Sequence, residues 1–216
     1  MTMQGTHRAQ PGLRPRAWRS ASALTAVRQL NERVLEVFTK LAAEAPLGTT
    51  LQVVERHRDL LLELDASTRR RAAQVPVLLL DAQFQSQDWS RSAGSAQRTR
   101  MNGAAATDAF QPECAVELLR ETLTLAWITA RGDRYAARIL FGMTPGVEKE
   151  IAALTAPMID RIASCKSCDL RPRWEAHPWY WERLLLAAQA SDDDMLRGIH
   201  LYSLQLLGGE LIQHSS

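Results

Sequence analysis

The second half of the chain is cut by its own punctuation into helices too short to be stable alone. Asp133 can cap a short helix over Arg134–Phe141, which stops at Gly142. Thr144 caps the next, with Pro145 at its first position, where a missing N–H costs nothing. Thr155 and Pro157 then restart a further helix carrying Met158, Ile159 and Ile162. Before these, Val116, Leu119, Leu123, Ala126 and Ala130 form one stripe that stops at Gly132. After them, Ser191 and the acids Asp192–Asp194 open an apolar helix expected to end at Gly208-Gly209. Short helices need tertiary packing of their apolar faces, so this half is predicted to be an all-α unit.

The first half reads differently. Residues 1–19 lack apolar periodicity and carry Gly5, Pro11, Gly12 and Pro15, the pattern of a basic flexible tail. From Ser22, a candidate N-cap, Leu24, Val27, Leu30, Val34, Val37 and Leu41 recur at steps of three and four. Pro46 and Gly48 end that helix. A second follows Thr50, with Leu51, Val54, Leu61 and Leu64 on one stripe and Arg69–Arg71 in its last turn. The two are predicted to form an antiparallel hairpin, with a coiled-coil dimer as the sharper reading. Val75-Pro-Val-Leu-Leu-Leu80 is a short strand or an extended apolar plug, its proline keeping it out of a central strand. The predicted fold is thus mainly α. A helical N-terminal region (20–84) and a linker (85–111) precede a C-terminal bundle of short helices (112–209) with helix-turn-helix-like geometry and a tail (210–216).

Charge is unevenly placed. Residues 1–111 carry 15 Lys+Arg against 10 Asp+Glu, and residues 112–216 carry 11 against 14. Arg8, Arg14, Arg16 and Arg19 crowd the start, so a polyanion, if bound, is expected there, with a solvated basic tail as the plainer reading. The longest apolar runs fall far short of the roughly 18 residues that span a bilayer, and no apolar segment follows the basic N-terminus. The expectation is a cytoplasmic protein with no membrane association.

Motifs for catalysis are absent: there is no phosphate-cradling Gly loop, no HExxH and no nucleophile elbow. The five histidines are scattered singly, and Arg131-Gly-Asp133 reads as a helix boundary. Cys165-x-x-Cys168 is half of a zinc-ligand set with no second half, since a structural zinc needs four ligands. Residues 137–151 have helix-turn-helix spacing. Their second helix offers Glu148, Lys149 and Glu150, a poor set for reading bases beside phosphates. Arg171-Pro-Arg173-Trp174, then Trp179-Tyr-Trp181, interleave bases and aromatics. That composition suits nucleic-acid contact through Arg171 and Arg173 and partner contact through Trp174, Trp179 and Trp181. The alternative is that the aromatics are core.

The run Leu123–Met143 and its ungapped continuation Thr144–Ala163 resemble the FlhD-like family of flagellar transcriptional activator subunits. The shared residues are Asp133, Gly142, Ala152-Ala153-Leu154-Thr155 and Pro157. Cys168-Asp-Leu-Arg171 is similar to the family's Cys-x-Phe-Arg, and Ile199-His200 fits the last helix. The resemblance covers about residues 112–209. It implies an all-α homodimer that joins an FlhC-like subunit and activates promoters, with the DNA contact resting heavily on that second subunit, which also carries the zinc. It implies a role in activity for Asp133, here a partner-contact candidate, and an intersubunit disulfide at Cys168. Where the family has Phe-Arg, this chain has Ile139-Leu140, and residues 1–111 have no counterpart. The expectation is a non-enzymatic activator subunit without cofactor, serving flagellar or mobile-element transfer genes. The alternatives are an adaptor or anti-activator that uses the same dimer without DNA, and a small metal-binding protein using Cys165 and Cys168.

Overall fold

The computed structural model describes residues 16–44, 51–86, 89, 110–190 and 192–213. Among these residues the architecture is mainly helical. In chain order the elements are α1 (Arg16–Glu44), α2 (Gln52–Arg56), α3 (Arg58–Leu62), α4 (Ala66–Ala72), β1 (Leu80–Asp81), α5 (Pro112–Gly132), α6 (Arg134–Phe141), α7 (Pro145–Ala152), α8 (Ala156–Lys166), a 3-10 turn (Ser167–Asp169), β2 (Arg171–Pro172), α9 (Pro178–Gln189) and α10 (Asp193–Gln213).

The α1 stripe is met in part: Val27, Leu30 and Val34 are buried, whereas Leu24, Val37 and Leu41 are half-buried and Leu35, Phe38 and Ala42 enter the core instead. Burying a side chain the size of Phe38 stabilises the fold by about 1.5–3 kcal/mol. The helix begins earlier than expected, at Arg16, so Ser22 lies inside it rather than at its start. The second helix expected after Thr50 is instead three short ones. His57 interrupts the first junction outside helical geometry. Asp65 then starts α4 by accepting from Thr68 N–H at 2.7 Å, a local cap that outcompetes continuation of α3. Arg69–Arg71 do sit in the last turn of α4.

The apolar segment after α4 is the hinge of the whole fold. Val75, Val77, Leu78, Leu79 and Leu80 are each 0% exposed, and Leu80 pairs antiparallel with Pro172 while Asp81 pairs with Arg171. Only the end of the segment is therefore strand. The rest is a plug whose backbone groups are satisfied by side chains and helix ends. Asn31 donates to Val77 O and accepts from Leu79 N–H, both at 2.9 Å, and Leu78 N–H donates to Leu140 O at 2.8 Å. Burial of an extended segment is tolerable only with such partners.

The N-terminal and C-terminal helices share one core. α1 packs on α5, and α9 packs on α3 and α4. Phe38 lies 5.6 Å from the Trp181 ring and 6.0 Å from that of Phe110, joining three distant parts of the chain. Within the stretch expected to be a linker, Trp89 is 1% exposed and donates Nε1–H to Ala82 O. Residues 87–88 and 90–109 lie outside the described residues, as does Ser191. At the start of α10 it is Asp192 whose carboxylate accepts from Asp194 and Met195 N–H. α10 also runs on through Gly208-Gly209 to Gln213 rather than ending there. No described helix is long and apolar enough to cross a membrane.

Candidate interaction site

The helix-turn-helix-like unit is built as its punctuation requires. Asp133 is buried, and its Oδ1 accepts from Tyr135 N–H at 3.0 Å and Ala136 N–H at 3.1 Å, capping α6. Gly142 ends α6 at φ 68°, ψ 42°, a left-handed conformation that favours glycine. A side chain there would also run into the Arg173 guanidinium and Leu207. Thr144 Oγ1 then accepts from Val147 N–H to cap α7, and Thr144 N–H donates to Phe84 O.

A charge lock holds α6 to α7. Glu148 is 0% exposed and takes Arg138 Nη2 at 3.2 Å on one oxygen and Arg134 Nε at 3.3 Å on the other. One buried carboxylate thus faces two guanidiniums, of which Arg134 remains mostly exposed. Arg131 stacks over the Trp127 ring at 5.1 Å, Arg138 over the Tyr135 ring at 5.7 Å, and Lys149 is exposed. Beside them Ile128, Tyr135 and Ile139 are large and exposed. The surface is therefore a basic rim around an apolar patch, carried mainly by α6 and the end of α5. The outward residues of α7 include Pro145, Gly146 and Lys149, while Glu148 points inward.

The sequence-derived candidates scatter. Arg8 and Arg14 lie outside the described residues, and Arg16 and Arg19 fall in the first turns of α1. Arg173 does not reach solvent: it is 2% exposed, and donates to Phe141 O at 2.7 Å and Leu80 O at 3.3 Å, with Glu210 at 3.5 Å. Its DNA-contact assignment is corrected to a buried tie between β1, α6 and α10. Arg171 is half-buried and spends Nη1 on Cys168 O and Leu170 O at 2.6 and 2.8 Å.

Trp181 is 0% exposed and donates Nε1–H to Arg173 O at 2.9 Å, so it too is core and not a partner contact. Trp174 is 6% exposed and stands edge-on to Tyr180 at 4.6 Å, its backbone at φ 57°. Its surface role is corrected likewise. Trp179 alone of the three is outward-facing, packed on Tyr202 at 4.5 Å with Arg183 over its ring at 5.7 Å. The Asp133 carboxylate is turned toward its own helix terminus.

Cys168 is half-buried, its Sγ 3.6 Å from Asp169 Oδ1, and Cys165 and Cys114 are half-buried too, none of the three in a disulfide within the chain. Burial, with Glu117 adding, pushes the Cys114 thiol up. Among the described residues no three His, Cys, Asp or Glu side chains group as metal ligands. Next to the cysteines, Lys166 is buried, donates Nζ–H to Trp89 O at 2.6 Å and lies 4.7 Å from its ring. Desolvation holds its pKa below the ordinary lysine range.

Two structural features escaped the sequence reading. The Arg134–Glu148–Arg138 lock had a signal in arginines spaced at i and i+4 opposite a glutamate on the next helix. The second is the exposed apolar side of α10, whose signal was three glycines inside an apolar helix with no turn to serve. No family model, curated protein or solved structure matches this chain.

Proposed function

We propose that the chain is a non-enzymatic subunit of a transcription-activating complex, acting as a dimer with an FlhC-like partner on promoter DNA. The observation that carries this reading is the capped α6–α7 unit, whose one buried glutamate anchors two arginines and leaves a basic rim at the surface. Such a rim supplies phosphate contacts, which position a protein on a duplex without reading sequence. The inward Glu148 and the sparse outer face of α7 mean that base reading falls to the partner. The resemblance over residues 112–209 supports the same division of labour.

The test is a titration of labelled promoter duplex with the partner complex from about 50 to about 200 mM salt. Binding should weaken along a linear log–log plot. Arg131→Gln, placed outside the Glu148 lock, should reduce the slope by about 0.9, the value of one phosphate contact. A salt-independent affinity, or a slope unchanged in that variant, counts against the reading.

A second reading is favoured by the exposed Ile128, Tyr135 and Ile139: an adaptor or anti-activator that binds protein and not DNA. It expects Tyr135→Ala to abolish partner capture while the isolated chain binds no duplex at low salt.

A further inference from the structure

At the end of α8 the two residues between the paired cysteines are the buried ones. Lys166 is 4% and Ser167 2% exposed, while Cys165 before them and Cys168 after them are half-buried. Residues three apart in a right-handed turn share a face, so the two cysteines stand together on the side away from the core. The backbone between them is right-handed, Lys166 at φ −106°, ψ 3° and Ser167 at φ −56°, ψ −30°. Four residues turned in this way keep their end Cα atoms under about 7 Å apart. A disulfide takes Cα separations of about 4.4–6.8 Å, so joining the sulfurs asks for rotation of two side chains and no new fold.

The turn is already held from both sides. Lys166 Nζ donates to Trp89 O at 2.6 Å, Ser167 O accepts the Leu170 N–H at 3.3 Å, and Cys168 O accepts from Arg171 Nη1 at 2.6 Å. Groups fixed beside each other in advance react as neighbours rather than by encounter. Cys114 is the contrast: it lies alone on α5, and burial pushes its thiol up. Among the described residues no three His, Cys, Asp or Glu side chains gather to hold a metal. What two thiols at this spacing can do unaided is exchange with a disulfide.

We propose that Cys165 and Cys168 form a reversible dithiol–disulfide site within one chain, oxidised by small-molecule disulfides of the glutathione class. One cysteine, as thiolate, attacks the S–S bond of glutathione disulfide, which breaks and releases the first glutathione thiolate. The other cysteine, its proton lost to solvent, attacks the resulting mixed disulfide and expels the second. Two protein thiols thereby give up two electrons and two protons, and one glutathione disulfide becomes two glutathione thiols. The new bond closes the turn between α8 and β2 around the Lys166 tie to Trp89. This site stands apart from the activator reading. It competes with the intersubunit bridge that the resemblance implies at Cys168, because Cys165 is the intramolecular neighbour.

The test is incubation of the full native chain with excess glutathione disulfide, then an acid quench, alkylation of the denatured protein with N-ethylmaleimide, and tryptic mapping. The expected product is residues 162–173 bridged at Cys165 and Cys168, as one looped peptide or as two that stay joined after cleavage at Lys166. It should come from protein that runs at the 24.1 kDa monomer mass on a non-reducing gel. Dithiothreitol should restore both alkylation sites, and Cys114→Ser should give the same bridged product. Cys165→Ser should accumulate glutathione on Cys168, the intermediate that the wild type resolves. The proposal is overturned if both cysteines of the wild type stay alkylated, or if glutathione persists on either of them. It is overturned equally if Cys168 is found joined to Cys168 of a second copy.

Discussion

Asn31, in the middle of α1, treats Leu79 as a neighbouring strand would. Its Oδ1 accepts the Leu79 N–H at 2.9 Å, while its Nδ2 donates to Val77 O at 2.9 Å. All three residues are 0% exposed. One side-chain amide thereby satisfies two backbone groups of a plug whose strand pairing with β2 is only two residues long, and fixes where α1 stands relative to the C-terminal helices.

Asn31→Ala leaves a buried N–H and a buried carbonyl without these partners, each costing about 1–3 kcal/mol. The expected loss is about 3 kcal/mol in urea unfolding. Asn31→Asp should be no better, because a carboxylate cannot donate to Val77 O and its charge would be buried. A loss under about 1 kcal/mol in Asn31→Ala would show that the plug holds itself.

Glu148 is the only acid described in contact with both Arg134 and Arg138. Glu148→Ala leaves two guanidiniums without their anion, and removing one partner of a buried pair costs about 3–5 kcal/mol. The lower end is expected, since Arg134 is 62% exposed and can turn to water. Glu148→Gln, which keeps an acceptor, should lie between that variant and the wild type by thermal or urea unfolding.

Gly142→Ala meets two penalties at once: a left-handed backbone at φ 68° and a clash with Arg173 and Leu207. The conformational part alone is about 1–2 kcal/mol, and the displaced Arg173 would loosen its bonds to Phe141 and Leu80. A total loss above about 2 kcal/mol is expected. Gly198→Ala, with open space at its site, should have the opposite sign in the monomer.

His200 gives the pH dependence. Burial first, and the nearby Arg28 charge second, hold its pKa below the ordinary 6.5. Its folded state therefore resists a proton that the unfolded chain accepts, and the unfolded state binds more protons in that window. Stability should fall as pH drops through about 6.5 toward the folded value, and His200→Gln should flatten the slope. Urea midpoints compared between neutral and mildly acidic buffer read this directly, and an unaltered slope in the variant would assign the effect to another group.

Much of the architecture was legible locally. Asp133, Gly142 and Thr144-Pro145 each act within a few residues of themselves, so both bounds of α6 and the start of α7 follow from sequence alone. The α1 stripe is equally local, because 3.6-residue periodicity needs no knowledge of the partner helix. The break at Asp65 was missed because two helices on one apolar stripe have the same spacing as one long helix.

The site was less legible, because sequence proximity and exposure are different quantities. Arg171, Arg173, Trp174, Trp179 and Trp181 read as one cluster, yet the chain turns through Trp174 at φ 57° and sends them different ways. Arg173 and Trp181 go to the core, and Trp179 goes to the surface.

What the amino-acid order determined by itself is therefore the helical class, the caps and the inward stripes, all set by contacts within a turn or two. What only the tertiary structure decided is the joining of both halves into one core through the plug. It also decided which charges are buried and which apolar side of α10 is left uncovered. These depend on groups more than forty residues apart, such as Asn31 with Leu79 and Arg173 with Leu80, and a side chain's exposure is a property of what packs over it rather than of its neighbours in the chain.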